Sequence, residues 1–234
     1  MEFCLLLICI FTPVMNIASY IDHTILKPTT LIADVEKLSA EARQYNFAAV
    51  CVPPLFVKKA KEFTAGSSVK VATVIGFPFG YSAIEAKMAE IILAIVDGAD
   101  ELDMVINISA VKNKDWQFLA SEINTIMPII RSKAKIIKVI IESGILNDQE
   151  IIACCDIYGA AGIDYMKTST GYAEKGTSVH AVQLMRNHLA STIKIKASGG
   201  IKDFAFAVDL INAGANRLGC SSSVKLISEA ALQN

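Results

Sequence analysis

Asp164-Tyr165-Met166-Lys167-Thr168-Ser169-Thr170-Gly171 places a lysine at the end of a short apolar run, directly before a small polar turn. Lysine is seldom fully buried without a partner, so an apolar strand is an unusual place for one. Taken alone, the stretch fits equally well a lysine that ends a strand and reaches solvent, and a lysine that points into a site. The rest of the chain decides between these interpretations.

Seven other apolar runs share the pattern of the run before Lys167. Most are rich in Val and Ile and are followed by Pro, Gly, Ser, Thr or Asn, which is typical of parallel strands buried on both faces. Their intervals are long enough for one strand, one helix and two loops. The eight predicted strands are residues 20–25, 48–52, 69–75, 101–106, 135–141, 163–167, 193–197 and 216–220.

Amphipathic segments such as 33–45 and 83–97 lie between these runs. Eight strand candidates that alternate with eight helix candidates, without any linker of Gly, Ser or charge, predict a single α/β domain over residues 15–234. The length of 234 residues suits a (β/α)8 TIM barrel, for which ~250 is typical. A doubly wound open sheet is the alternative, but the segment 22–28 after the first strand is no glycine-rich dinucleotide turn.

The composition narrows the class of protein further. A formal net charge of −1 gives no basic surface, so nucleic acid is not an expected partner. Six cysteines occur at positions 4, 9, 51, 154, 155 and 220, without a CxxC pair. They predict reduced, mostly buried thiols and a cytoplasmic location.

The first fourteen residues differ from the rest of the chain. Residues 3–11 are as apolar as the core of a signal peptide, yet Glu2 is the only charge before them and no small-x-small cleavage site follows. The run is also too short to cross a bilayer comfortably. Our hypothesis is that residues 1–14 are an upstream extension that is not native to the protein, with no membrane role. Intact mass of the native protein tests it.

Polar side chains collect where the predicted strands end, which is the end of a TIM barrel that carries the active site. Three lysines and one aspartate at one rim are more than strand capping explains. The strand-end residues are Asp22, Cys51, Gly76, Asp103, Asn107, Lys138, Glu142, Lys167, Lys196, Gly219 and Ser221.

Lys167 and Lys196 end strands six and seven, which are neighbours in a barrel. Two ammonium groups in a partly dry pocket disfavour each other's charge, and a lysine that loses its proton can attack a carbonyl to form a Schiff base. This chemistry needs no metal and no cofactor, and the spacing of the three histidines suggests no metal site.

An acid–base group is expected across the barrel mouth, on strand four. Glu101 and Asp103 lie on the same side of that strand, and Asp103 is the better candidate because it lies deeper in the apolar run. A salt bridge from Asp103 to Lys138 or Lys196 is the structural alternative, and it is compatible with catalysis.

Two turns have the features of phosphate sites. Gly199-Gly200 follows strand seven, Gly219-Cys220-Ser221-Ser222 follows strand eight, and each leads into a helix. TIM barrels commonly bind phosphate at these two loops, on backbone N–H groups and a helix N-terminus.

Together these segments resemble the deoxyribose-phosphate aldolase family over residues 20–224, in the order of that family. The resemblance implies a class I aldolase that cleaves 2-deoxy-D-ribose 5-phosphate to glyceraldehyde 3-phosphate and acetaldehyde, in the breakdown of deoxyribonucleosides and deoxyribose phosphate. The matching motifs are Asp22-His23-Thr24-Ile25-Leu26-Lys27-Pro28, Val50-Cys51-Val52-Pro53-Pro54, Val74-Ile75-Gly76-Phe77-Pro78, Gly98-Ala99-Asp100-Glu101-Leu102-Asp103-Met104-Val105, Lys138-Val139-Ile140-Ile141-Glu142, Tyr165-Met166-Lys167-Thr168-Ser169-Thr170-Gly171, Lys196-Ala197-Ser198-Gly199-Gly200 and Arg217-Leu218-Gly219-Cys220-Ser221-Ser222.

By this resemblance Lys167 forms the Schiff base, Lys196 tunes it and Asp103 relays protons. Cys51 matches a pocket cysteine, with a small core residue as the equal alternative. We also expect a homo-oligomer, with a dimer favoured. The residues expected to contact substrate or its phosphate are Asp22, Cys51, Lys138, Thr170, Gly171, Gly199, Gly200, Lys202, Gly219, Ser221 and Ser222.

The chain departs from the family pattern at Lys202, where arginine is expected, and at Ser223, where glycine is expected.

Three rival hypotheses for the function remain at this point. They are a Schiff-base aldolase for another phosphorylated sugar, a catalytically silent sugar-phosphate binding protein, and a membrane-anchored protein that rests on residues 3–11 alone.

Overall fold

Eight parallel strands close into a barrel in the computed structural model of the protein, which describes residues 16–232. Each strand pairs with the next one along the chain, and β8 pairs with β1. The predicted TIM barrel is therefore confirmed. The strands are β1 Ile21–Thr24, β2 Ala49–Val52, β3 Lys70–Ile75, β4 Glu101–Val105, β5 Ile136–Ile140, β6 Tyr165–Lys167, β7 Lys194–Ser198 and β8 Arg217–Cys220.

Helices cover the outside of this barrel. The α-helices of residues 16–232 are α1 Ile32–Tyr45, α2 Val57–Phe63, α3 Ile84–Val96, α4 Ile108–Lys112, α5 Trp116–Ser132, α6 Asp148–Ala160, α7 Val179–His188, α8 Phe204–Asn212 and α9 Ser223–Leu232. Short 3-10 turns span Ile17–Tyr20, Pro54–Phe56 and Ser143–Ile145.

The described helices are one more than the eight predicted, because the connection from β4 to β5 holds both α4 and α5. Asn107 accepts a hydrogen bond from the Ala110 backbone N–H and begins α4, while Asp115 accepts one from the Phe118 N–H and begins α5. Each side chain satisfies an N–H that a helix start leaves unpaired.

Strand β6 is two residues shorter than the predicted run 163–167. Asp164 explains the difference, because its carboxylate accepts the Ile137 backbone N–H at 2.9 Å and pairs with Arg131 at 2.9 Å. The side chain thus occupies the edge of the barrel where a regular ladder bond would continue. The strand that carries Lys167 starts immediately after this anchor.

The interior of the barrel has an apolar side and a charged side. Buried residues Cys51, Ala72 and Val74 form a small apolar cluster on β2 and β3 that is separate from the main core. The main core lies between the strands and the helices. Lysines and carboxylates fill the rest of the barrel interior. Lys167 lies on this charged side.

The N-terminal hypothesis concerns residues 1–14, which lie outside the described residues, as does the proposed domain start at Met15. Between residues 16 and 232, no helix is both long enough and apolar enough to cross a membrane. Within the same range, Cys51, Cys154, Cys155 and Cys220 are free and buried, as the sequence predicted for them.

A buried ion pair outside the barrel offers a test of stability. Lys87 on α3 and Glu122 on α5 are both fully buried, with Nζ 2.7 Å from Oε1, and Lys87 also donates to the Val105 carbonyl at 2.8 Å. Burial lowers the pKa of Lys87 and raises that of Glu122, so desolvation opposes much of the attraction between them.

We expect Lys87→Met to lower the free energy of unfolding by about 3–5 kcal/mol, because it leaves Glu122 buried without its cation. The double variant Lys87→Met with Glu122→Met should lose only about 1–2 kcal/mol, from the Val105 carbonyl and the Asn107 backbone N–H, which lose their partners. Urea denaturation of both variants measures this. Equal losses in the single and double variants would contradict it.

Candidate active site

Lys167 ends β6, and the strand register pairs it with Lys196. Lys196 was predicted to end its strand but lies in the middle of β7, which continues to Ser198. Both amines contact the same oxygen of Asp103 on β4. The Lys167 Nζ is 2.8 Å from Asp103 Oδ2, and the Lys196 Nζ is 2.7 Å from it. The predicted proximity of the two lysines is confirmed. The carboxylate of Asp103, which both amines contact, was not part of that prediction.

A third lysine forms a hydrogen bond with the other carboxylate oxygen of Asp103. Lys138 on β5 donates to Asp103 Oδ1 at 2.8 Å. Burial by itself would raise the pKa of Asp103, but the three lysines hold that pKa well below its usual range. Asp103 is therefore an ionised hub that orients three amines.

Further charges lie beneath this hub. Lys138 Nζ is 2.5 Å from Glu101 Oε2, Arg217 Nη1 is 2.5 Å from Asp22 Oδ1, and Lys196 also donates to Asp22. We call the connected set the barrel charge cluster. Its members are Asp22, Glu101, Asp103, Lys138, Lys167, Lys196 and Arg217.

The two neighbouring lysines differ in their affinity for a proton. Burial, together with the positive charge of Lys196, lowers the pKa of Lys167 despite the opposing effect of Asp103. Burial would also lower the pKa of Lys196, but Asp103 and Asp22 raise it above its ordinary value. Lys167 is thus the amine that loses its proton more readily, and a neutral amine is the nucleophilic form.

Lys167 opens onto a cavity of about 380 Å³ at this end of the barrel, although only 2% of the residue is exposed. The cavity also contains most of the residues predicted to contact substrate or phosphate. Those residues are Thr170, Gly171, Gly199, Gly200, Lys202, Gly219, Ser221 and Ser222.

Asp22, Lys138 and Cys51 were also predicted to contact substrate, but they do not line the cavity. Asp22 and Lys138 are fully buried in the barrel charge cluster. Cys51 packs in the small apolar cluster of the interior, and burial raises the pKa of its thiol.

The two predicted phosphate turns lie together on one wall of the cavity. Gly199 and Gly200 have φ of 88° and 82°, a backbone region that glycine enters without steric cost. The turn leads into α8, and the turn at Ser221-Ser222 leads into α9. Helix N-termini present backbone N–H groups and partial positive charge to an anion.

The two departures from the family pattern are accommodated locally. Ser223 begins α9, where its buried hydroxyl donates to the Cys220 carbonyl at 3.0 Å, so the turn closes without a glycine. Lys202 lines the cavity and keeps a positive charge beside the first turn.

Two contacts of the Lys167 loop were not predicted. Buried Glu142, after β5, accepts hydrogen bonds from the Thr170 backbone N–H at 3.3 Å and from its hydroxyl, and burial raises the pKa of Glu142. Tyr172 donates to the Leu26 carbonyl at 2.7 Å. Glu142 was recognisable as a strand-end residue, whereas its partner lies 28 positions away in the chain.

Among the described residues, no group of three or more His, Cys, Asp or Glu side chains is arranged to hold a metal ion. The expectation that the protein needs neither metal nor cofactor stays a prediction. All of the chemistry described above is carried by amines, carboxylates and backbone N–H groups of the chain.

Comparisons with known proteins agree with this geometry. Deoxyribose-phosphate aldolase of Caldicellulosiruptor saccharolyticus is 48% identical over 215 residues, covering 92% of this chain and 98% of the relative. The enzyme of that name from Thermococcus gammatolerans is 46% identical over 218 residues, with 92% and 97% covered.

Solved structures give the same result. The tetrameric deoxyribose phosphate aldolase of Aeropyrum pernix superimposes with a TM-score of 0.87 at 32% identity, covering 93% of this chain and 92% of that one. QR15, an aldolase, gives 0.88 at 37% identity, with 94% and 97% covered. The model of the DeoC/LacD family aldolases matches residues 16–223. The chain belongs to the DeoC/LacD family of aldolases.

Proposed function

We propose that the protein is a class I aldolase that reversibly cleaves 2-deoxy-D-ribose 5-phosphate to D-glyceraldehyde 3-phosphate and acetaldehyde. The observation that carries the proposal is the buried amine of Lys167, which opens onto a cavity whose wall holds two phosphate-type turns. The names of the relatives support the choice of substrate.

The first step is attack of the neutral Lys167 amine on C1 of the open-chain sugar. Loss of water from the resulting carbinolamine gives an iminium ion, which withdraws electrons from C2. Burial and the charge of Lys196 lower the pKa of Lys167, which increases the fraction of the neutral amine at any given pH. Lys196 stays charged and holds the shared oxygen of Asp103.

The second step breaks the bond between C2 and C3. A base removes the proton of the C3 hydroxyl, C3 becomes the aldehyde carbon of glyceraldehyde 3-phosphate, and the bonding electrons form an enamine on C1 and C2. Protonation of C2 and hydrolysis of the iminium then release acetaldehyde and restore the Lys167 amine.

We assign the proton relay of these steps to Asp103 together with the ammonium groups of Lys138 and Lys196. A carboxylate whose pKa is lowered this far holds a proton only briefly. Neighbouring ammonium groups at 2.7–2.8 Å can exchange that proton with it. The relay therefore belongs to the hydrogen-bonded group and not to Asp103 alone.

The phosphate would sit against the turns after β7 and β8, with Lys202 as its cationic partner. We expect Lys202→Met to raise KM for the phosphorylated sugar about 3- to 10-fold, as loss of one exposed charge-assisted contact predicts. The value of kcat should change little. Steady-state kinetics measure both constants.

Unphosphorylated 2-deoxyribose is the matched control for this variant, since it cannot use the phosphate contact. Its kcat/KM should be the same with Lys202 and with methionine at that position. An equal loss for both sugars would remove Lys202 from the phosphate site.

The decisive test of the proposed function is acetaldehyde release from 2-deoxyribose 5-phosphate. Borohydride reduction in the presence of acetaldehyde should leave an ethyl group on Lys167, located by peptide mass spectrometry. Trapping without turnover of this sugar would indicate an aldolase for another phosphorylated sugar. Sugar-phosphate binding with no adduct would indicate a silent binding protein.

The proposed function also suggests a cellular setting. Breakdown of deoxyribonucleosides in the cytoplasm suits this substrate, and the free cysteines of the described residues fit a reducing compartment. A homo-oligomer with a dimer favoured stays a prediction, although the Aeropyrum pernix relative is a tetramer. Light scattering coupled to gel filtration measures the oligomeric state.

A further inference from the structure

The barrel charge cluster is balanced only when Lys167 is neutral. It contains three carboxylates, and their full negative charge is matched by three cations other than Lys167. The carboxylates are Asp22, Glu101 and Asp103, and the cations are Lys138, Lys196 and Arg217. A proton on Lys167 would give the buried cluster one uncompensated positive charge, which a low-dielectric interior disfavours.

Two residues of the barrel charge cluster, Glu101 and Arg217, lie away from the cavity. Glu101 begins β4 and Arg217 begins β8, at the opposite end of the barrel from Lys167. Glu101 is 1% exposed, and the Arg217 side chain is 12% exposed at a shallow depression on that end. Neither residue lines the cavity around Lys167.

Contacts connect these residues to Lys167 step by step. Arg217 pairs with Asp22, Asp22 with Lys196, and Lys196 shares Asp103 with Lys167. Glu101 reaches the same carboxylate through Lys138, which is 2.5 Å from Glu101 and 2.8 Å from Asp103. A change of charge at the far end is therefore transmitted through buried groups that water does not screen.

Cys51 and Glu142 also lie near Lys167, outside the chain of contacts just described. The titratable and charged groups that face it are Lys138 on β5, Lys196 on β7, Asp103 on β4, Cys51 on β2, Asp22 on β1, Arg217 on β8 through Asp22, and Glu142 after β5. The Cys51 thiol and the Glu142 carboxyl both have a raised pKa because of burial, which favours their neutral forms.

We propose that Glu101 and Arg217 are positioning residues that set the protonation state of Lys167 by completing the charge balance of the barrel interior. The proposal rests on the proposed Schiff-base function and adds two residues that never touch substrate. Arg217 favours the neutral amine, and Glu101 opposes it. Their removal must therefore shift the titration of Lys167 in opposite directions.

The test is the pH dependence of Lys167 reactivity in the full-length protein. Arg217→Met removes a cation, so the apparent pKa of Lys167 should rise by about one unit; Glu101→Gln removes an anion, so it should fall by about one unit. The double variant should return close to the wild-type value. At neutral pH kcat/KM should fall up to about tenfold in Arg217→Met.

Two variants separate charge from structure. Arg217→Lys keeps the cation and should titrate like the wild type. Lys194→Met removes an exposed cation at the same end of the barrel, over the Tyr165 ring at 5.6 Å, and should cause no shift. If Arg217→Met does not fold, the downward shift in Glu101→Gln and the Arg217→Lys result decide the proposal. Shifts of the same sign, or none, would overturn it.

Two readouts keep this proposal distinct from the proposed function. The acetylation rate of Lys167 by acetic anhydride, followed by peptide mass spectrometry, reports its titration without any sugar. The pH profile of acetaldehyde release reports turnover. Opposite acetylation shifts without turnover would refute only the proposed function, whereas turnover without opposite shifts would refute only the charge-balance proposal.

Discussion

Replacing Lys167 with methionine is expected to abolish cleavage of 2-deoxyribose 5-phosphate, with a loss of at least about 10⁴-fold in kcat, as for removal of other covalent nucleophiles. Among residues 16–232, no other amine that lines the cavity has the same setting. Lys27 and Lys202 line the cavity, but neither touches Asp103, and neither shares a carboxylate with a second lysine.

The barrel should remain folded in this variant. Methionine is close to lysine in length, and the position is almost completely buried, so an apolar side chain fits the site. Asp103 keeps Lys138 and Lys196 as partners. Thermal unfolding should therefore give a midpoint at or above that of the wild type.

Borohydride trapping with acetaldehyde supplies the measurement, and Lys202→Met is the matched control. The control keeps the proposed nucleophile and should still gain one ethyl group at Lys167, whereas Lys167→Met should gain none. A reduced adduct on another lysine, together with substantial turnover in Lys167→Met, would show that the covalent centre was assigned to the wrong residue.

The parts of this site that could be predicted from the sequence are those that local pattern determines. Apolar runs and the breaks after them located all eight strands, and strand order alone placed Lys167 beside Lys196. The two turns that we propose for phosphate were recognisable because Gly199-Gly200 and Gly219 each precede a helix. In each case the information lies within one strand and its following loop.

The parts that could not be predicted depend on the depth of a side chain within the barrel. Lys138 was predicted as a strand-end residue like Lys167, yet it lies in the middle of β5, does not line the cavity, and pairs with Glu101 and Asp103. Arg217 meets Asp22 across 195 positions of sequence. Strand alternation gives the face of each residue, but closure of the barrel decides which charges meet.

Removal of Lys196 is expected to have the second-largest effect. In Lys196→Met the amine of Lys167 loses its cationic neighbour and becomes the one lysine that contacts Asp103 Oδ2. The pKa of Lys167 should therefore rise from its lowered value to the ordinary value for lysine, near 10.4, or above it. At pH 7.4 only about one molecule in 10³ would then carry the neutral amine. We expect kcat/KM at that pH to fall by about 10²–10³-fold.

The pH profile distinguishes this cause from damage to the site. Because the reactive form is the deprotonated one, the rate of Lys196→Met should increase about tenfold per pH unit up to pH ~10, whereas the wild type should level off at lower pH. A variant whose fold or relay alone is impaired would stay slow at every pH. Acetylation of Lys167 should show the same displaced titration. A Lys196→Met protein that is slow throughout the range, with Lys167 titrating as in the wild type, would assign Lys196 to proton transfer and not to the tuning of its neighbour.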